Sequence, residues 1–295
     1  MKSKKMLCNV FTLMVMTASL SSCEKIPSES NGSESKTMPN VVLRVGQIEQ
    51  IPFDSNTRAA ADIVCTKLCF DIYDKDGQKV EYLNQKKEDE NFGEASFSLE
   101  EGEYYLVIIG HSAVKTPSFA TKEMKVTASG ALSDMFWVCE PLHVTEGDIN
   151  KSLVLKRIVS MVRFIPNDAI PEDANEIYIE YKGSKGTFSA LTGYGTTTST
   201  QKITLEVTPS DEQIDFYMIP RQDDDVIDNV KVISRYNDGS VAKIFSEKDI
   251  ESIPVRRNCI TICRGNLFDN ESSSHTSYIN ISIDDTWGEA IQFSF

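Results

Sequence analysis

The chain is poor in the residue patterns that chemistry at protein sites depends on. Its three histidines, His111, His143 and His275, stand far apart with no partner at metal-ligand spacing. Each reads as a surface or satisfied core residue. No Gly-x-Ser-x-Gly elbow and no phosphate-cradling glycine loop occurs. No Cys-x-x-Cys occurs, which removes the zinc-ribbon spacing. An EF-hand at Asp74-Lys75-Asp76-Gly77 fails, because Gly77 at loop position six puts Ile72 and Leu83 at the ligand positions one and twelve. Asp223-Asp224-Asp225 offers oxygens to calcium, but three adjacent acids read first as a solvated loop. Basic residues are also scarce, 30 Lys and Arg against 44 Asp and Glu, for a net charge of −14. Nucleic acid, bound largely through cations on phosphate, is therefore no partner, and without a polybasic segment the chain does not lie flat on anionic lipid. No catalytic, cofactor or metal residue is assigned.

What is present begins at the amino end. Lys2, Lys4 and Lys5 precede an apolar run from Met6 to Leu20 that closes in Leu20-Ser21-Ser22-Cys23. A basic start, a short apolar run and small residues make a secretory signal, too short to cross about 30 Å of hydrocarbon comfortably and followed by no stop-transfer flank. Leu-Ser-Ser-Cys resembles a bacterial lipobox, in which Cys23 takes a diacylglyceryl group and becomes the mature terminus. A signal peptide with a chance cysteine is the plainer alternative. Stable anchoring takes more than one acyl chain, which a triacylated Cys23 supplies. The expectation is a signal over 1–22 and a membrane anchor at Cys23, the body facing away from the cytoplasm. Residues 23–37, nearly devoid of apolar side chains, read as a lipidated flexible tether, reaching at most about 45 Å.

From Met38 the pattern is strand and turn. Val41-Val42-Leu43-Arg44-Val45 opens it, and Ile63 to Tyr73 follows with Leu68, Phe70 and Ile72 as its core face. Asp74 to Gly77 and Asn237-Asp238-Gly239 are hairpin turns, since glycine there accepts positive φ. Tyr104 to Ile109 is a continuous apolar run, as in a strand covered on both faces. A hairpin around Glu101-Gly102 joins it to Phe97-Ser98-Leu99. Leu153 to Ile165 reads as one strand, Ser246 with Asp249 as a capped helical turn, and Gly183 to Thr200 as a mobile hairpin tip before a binding loop. Cys65 and Cys69, like Cys259 and Cys263, are spaced i, i+4, about 13 Å apart on a strand, against the roughly 7 Å a disulfide allows. They read as small buried residues, with a cross-strand disulfide involving Cys139 left open. More than a dozen short strands indicate an all-β fold of two tandem sandwiches, 38–150 and 151–295, divided near Glu146 to Asn150.

Three stretches then carry a family resemblance. Leu153 to Phe164, basic and then apolar, is followed by Asp168-Ala169-Ile170-Pro171. Ile253-Pro254-Val255-Arg256-Arg257-Asn258 runs on to Gly265-Asn266-Leu267-Phe268, and Asp285-Thr286-Trp287-Gly288 precedes the last strand. Together they resemble the fimbrillin-type anchor and minor subunits of bacterial type V pili, the FimB-like family. The resemblance implies transthyretin-like Greek-key sandwiches on an outer-membrane, cell-surface fimbrium, and partners that are other fimbrial subunits joined by strand exchange. It makes Val41, Leu43 and Val45 a displaceable strand and Arg58-Ala59 a processing position. Cleavage there severs the body from its lipid, so a basal anchor stays uncut and a stalk or tip subunit is trimmed. The rival reading is a surface glycan-binding lipoprotein; its aromatic platforms would be Trp137 or Trp287, both in apolar contexts that suit burial. An enzyme ranks third.

Overall fold

The computed structural model describes residues 38–48, 51–52, 65–119, 124–268 and 279–284. Cys23, the tether, Arg58, Ala59, His275 and Trp287 lie outside them. The fold is all-β. The first ten strands are β1 (Val41–Ile48), β2 (Ile51–Pro52), β3 (Lys67–Asp74), β4 (Lys79–Lys86), β5 (Glu94–Phe97), β6 (Gly102–His111), β7 (Ser118–Phe119), β8 (Lys125–Thr127), β9 (Met135–Val144) and β10 (Ile149–Arg157). The second ten are β11 (Ser160–Pro166), β12 (Glu176–Lys182), β13 (Thr187–Ser189), β14 (Thr200–Glu206), β15 (Ile214–Met218), β16 (Asp225–Asn237), β17 (Ala242–Ile250), β18 (Ile253–Val255), β19 (Ile260–Gly265) and β20 (Asn280–Asp284).

In the first sandwich β4, β3, β6 and β9 form an antiparallel layer that β10 joins through Lys156 and Arg157. The rest of β10 leaves that layer and runs parallel to β1, whose far edge takes β5 and β2. Leu68, Phe70 and Ile72 of β3 and Leu106 and Ile108 of β6 meet Val41, Leu43 and Leu153 in one core. The alternate residues Cys69, Tyr73, Val107 and Ile109 enter a different core on the opposite face. The Tyr104 to Ile109 run is thus covered on both sides, as its lack of alternation requires. At the β3–β4 turn Gly77 has a φ of 74°, and Asp74 Oδ1 accepts the amides of Asp76 and Gln78 at 2.9 and 2.8 Å.

The second sandwich sets β15-β11-β19-β20 against β14-β12-β16-β17, with Val162, Phe164, Ile179, Phe216, Val232 and Cys263 in the shared core. Its link to the first is covered. The outer face of β3, β6 and β9 packs on Met124, Val126, Phe188, Ala190 and Ile219, and β8 pairs with β13 across the two halves of the chain.

Four expectations change. The strand read over Leu153 to Ile165 is two, β10 and β11, broken at Ile158–Val159, where both side chains are buried and the Ile158 amide donates to Met135 O at 3.0 Å. Glu101-Gly102 is a crossing between layers and not a hairpin, because β5 pairs β1 while β6 pairs β3 and β9. The helical turn at Ser246 is part of β17: Ser246 is buried against the Ser234 hydroxyl, and Asp249 lies 3.8 Å from Lys231. The Gly183 to Thr200 stretch is no free tip, since Phe188 and Ala190 are fully buried.

Candidate functional site

The site the sequence points to is the slot that holds β1. Its apolar positions alternate, so Val41, Leu43 and Val45 turn inward and are 0–3% exposed. Arg44 turns out, 2.7 Å from Glu94 and 3.4 Å from the Asn150 side chain. The ladder to β10 runs from Val41↔Ile149 to Val45↔Leu153, then slips past Gly46 and resumes at Gln47↔Val154 and Ile48↔Leu155. A side chain at Gly46 would run into the Ser152 hydroxyl. This bulge re-aims the strand and brings Ile48, fully buried, into the core with the other three. Strict alternation from Val45 misses Ile48; the glycine inside an apolar run is the signal that finds it. Asn40 fixes the entrance, with Nδ2 donating to Leu99 O at 2.8 Å and Oδ1 accepting the Leu99 amide at 2.9 Å. The slot therefore binds an extended segment by main-chain bonds on two edges and by four apolar side chains. Arg58 and Ala59, the expected processing position, lie outside the described residues.

Of the stretches that carry the family resemblance, 153–171 and 253–268 meet near the junction of the sandwiches, and 285–288 lies outside the described residues. β11 and β19 run parallel from Met161↔Ile260 to Pro166↔Gly265. Arg157, 7% exposed, forks onto Asp134 at 2.8 and 2.9 Å, donates to Asn258 Oδ1 at 2.8 Å, and stands over the Phe136 ring. Burial lifts the Asp134 carboxyl above its ordinary range while Arg157 pulls it back. Asp168 accepts the amides of Leu267 and Phe268 at 2.8 and 2.6 Å. These motifs cross-tie the fold.

Polar groups are also buried on the outer face of β3 and β6. Asp71, 1% exposed, is pushed up to about 6 by burial, with Lys79 at 3.2 Å pulling the other way. His111 is fully buried and lowered to about 4, by burial first and then by Lys67. Its Nε2 lies 4.0 Å from Cys69 Sγ, and Nδ1 has no hydrogen-bond partner among the described residues. Burial, with Asp71, pushes the Cys69 thiol up to about 12. Cys65, Cys69, Cys259 and Cys263 are buried and Cys139 half-buried; among the described residues no two are joined by a disulfide, so the one left open at Cys139 is not formed there.

In the acidic triplet Asp223 and Asp224 are exposed, as a solvated loop requires, and Asp225 alone is buried. Asp225 pairs with Arg221 at 2.6 Å, Asp224 with Arg256, and Asp223 with Arg257 at 4.0 Å. The Arg257 guanidinium also lies 3.8 Å from the centre of the Tyr194 ring. Trp137 donates its indole N–H to Ala190 O at 2.7 Å and has Gly193 against its ring, so it is a packing residue and no sugar platform. Among the described residues no group of three or more His, Cys, Asp or Glu is placed to hold a metal.

Several solved structures are similar to the chain. A DUF1812 protein of Bacteroides thetaiotaomicron aligns with a TM-score of 0.50 at 10% identity, over 83% of this chain and 95% of its own. The tip fimbrial protein Mfa3 of Porphyromonas gingivalis, truncated at its C-terminus, aligns at 0.41 and 9% identity, over 82% and 98%. A fimbrial assembly protein of Parabacteroides distasonis aligns at 0.39 and 11%, over 83% and 97%. The first likeness is one of fold. No curated protein matches the sequence. A family model described as a family of unknown function, DUF6562, matches residues 36–293, and the chain belongs to that family.

Proposed function

We propose that the protein is a cell-surface fimbrial lipoprotein, an anchor or minor subunit, acylated at Cys23 and joined to other fimbrial subunits by exchange of a strand. The observation that carries this reading is the burial of β1. Four side chains, Val41, Leu43, Val45 and Ile48, are 0–3% exposed on one short strand near the amino end. Burying each stabilises by about 1.5–3 kcal/mol. Their sum rivals the roughly 5–15 kcal/mol that holds a whole domain together. An emptied slot therefore collapses or recruits another extended segment, by main-chain pairing along β10 and β5 and by side chains in the vacated pockets. The motifs that resemble type V pilus subunits support the same reading, and so does the lipobox.

Cutting at Arg58–Ala59 frees β1 and the lipid together, which suits a trimmed subunit; an intact bond suits an anchor. The DUF1812 protein of similar fold is described as a candidate polysaccharide-binding protein, which keeps a glycan-binding lipoprotein as the second reading. The partial burial of Trp137 and its bond to Ala190 weigh against it.

The deciding measurement is the mass and N-terminus of the protein purified from its native envelope. The expected result is an acylated Cys23 with Arg58–Ala59 intact and a fimbrial subunit copurifying. A new terminus at Ala59 replaces the anchor by a trimmed subunit. Acylated protein that binds a carbohydrate array and brings no fimbrial partner overturns the fimbrial reading.

A further inference from the structure

We propose that Cys69 and His111 form a two-coordinate site for a soft d10 cation, Cu(I) being its physiological member. The pair sits on neighbouring strands of one sheet face, Cys69 on β3 and His111 on β6. Both side chains are buried, at 1% and 0% exposure. Their facing atoms, Sγ and Nε2, are 4.0 Å apart. That gap is long for a strong hydrogen bond. It is close to the sum of a metal–sulfur bond of about 2.3 Å and a metal–imidazole bond of about 2.0 Å. At those lengths an ion between the two atoms subtends an open angle of about 140°, and the shorter bonds of a two-coordinate ion straighten it toward the linear geometry that d10 monovalent cations favour.

The donor set selects the metal. Thiolate and imidazole with a thioether nearby suit Cu(I). Met135, 1% exposed, stands directly opposite His111 on β9 and so brings its sulfur to the same face. Tetrahedral zinc would need ligands that are not there, since no group of three or more His, Cys, Asp or Glu within reach of one ion exists among the described residues. A route in is present: Cys69 lines a cleft of about 290 Å³ with Lys67, Asn84, Lys86 and Thr116. On binding, a Cu–S bond replaces the S–H bond of Cys69 and the proton leaves to solvent. His111 gives the Nε2 lone pair and keeps its ring proton on Nδ1. No electron moves, because the ion enters as Cu(I). Release of the thiol proton makes uptake favour higher pH. None of this depends on the fimbrial reading.

The test is anaerobic titration of the reduced full-length protein with Cu(I) buffered by bicinchoninate, beside C69S, H111Q and C139S variants. The wild type is expected to take up one more ion than C69S or H111Q, and as many as C139S. Cu(I) is expected to raise the melting temperature of the wild type and of C139S but not of C69S. Equal uptake by wild type and C69S overturns the site, as does a melting shift that C69S retains. Ser for Cys is nearly isosteric, so C69S decides the question even where H111Q fails to fold.

Discussion

At the scale of single residues, the acidic triplet shows how far neighbours decide what a side chain is. Asp225 is 4% exposed, and burial alone would raise its carboxyl. The fork from Arg221, at 2.6–3.2 Å, and the amides of Arg221 and Val226 outweigh burial and hold it below its ordinary 3.8. A carboxyl whose folded pKa is depressed stabilises the fold above its unfolded value and loses that contribution as pH falls through the folded one. Asp225→Asn is therefore expected to cost about 1–3 kcal/mol near neutral pH. It should cost progressively less below about pH 4. Urea unfolding at pH 7 and pH 3 checks this; a penalty that does not shrink in acid would show that the ion pair is not its source. Arg221, not read as a partner, lies four residues away and was within local reach. Arg256 and Arg257 were not, because only the β16–β18 pairing brings Pro254 and Val255 beside Val226 and Asp225.

At the scale of elements, periodicity identified most strands and the faces of β3 and β6, because alternation and its absence report burial directly. It failed wherever the chain changes sheet. Nothing local distinguishes the turn at Glu101-Gly102 from a hairpin, and Ile158–Val159 continues the apolar pattern straight through a break. In β1 it found Val41, Leu43 and Val45, and the bulge at Gly46 hid Ile48. That bulge makes its own prediction. Gly46→Ala brings a methyl onto the Ser152 hydroxyl. Gly46 and Ser152 are both exposed, so the hydroxyl can turn away at the cost of a poorer rotamer, about 0.5–1.5 kcal/mol. Ser152→Ala removes the obstructing oxygen and leaves the Ser152 Cβ position 3.6 Å from the new methyl. The double variant is thus expected to recover most of the loss in a denaturant-based cycle. Additive losses would mean that Gly46 is required for its backbone and not for the space.

At the scale of the whole molecule, the two sandwiches share structure that tandem domains on a free linker would lack. Val107 and Ile109 of the first half and Phe188, Ala190 and Ile219 of the second occupy one apolar cluster. Arg157 bonds both Asp134 and Asn258, the latter 101 residues further along the chain, and the link at Ile158–Val159 is buried. Two independent cores were legible from strand count and length. The third was not, because its residues are scattered along the chain and only the outer face of β3, β6 and β9 collects them. The body is therefore expected to unfold in one transition. Phe188→Ala opens a cavity in the shared cluster and should cost about 3–5 kcal/mol. Arg157→Ala strands the half-sealed Asp134 and should cost about as much. If the shared cluster couples the halves, either substitution lowers the hydrogen-exchange protection of Val107 in β6 and Val162 in β11 by the same amount. A loss confined to one of those amides, or a second transition in calorimetry, would instead mean two bodies that fold separately and merely touch.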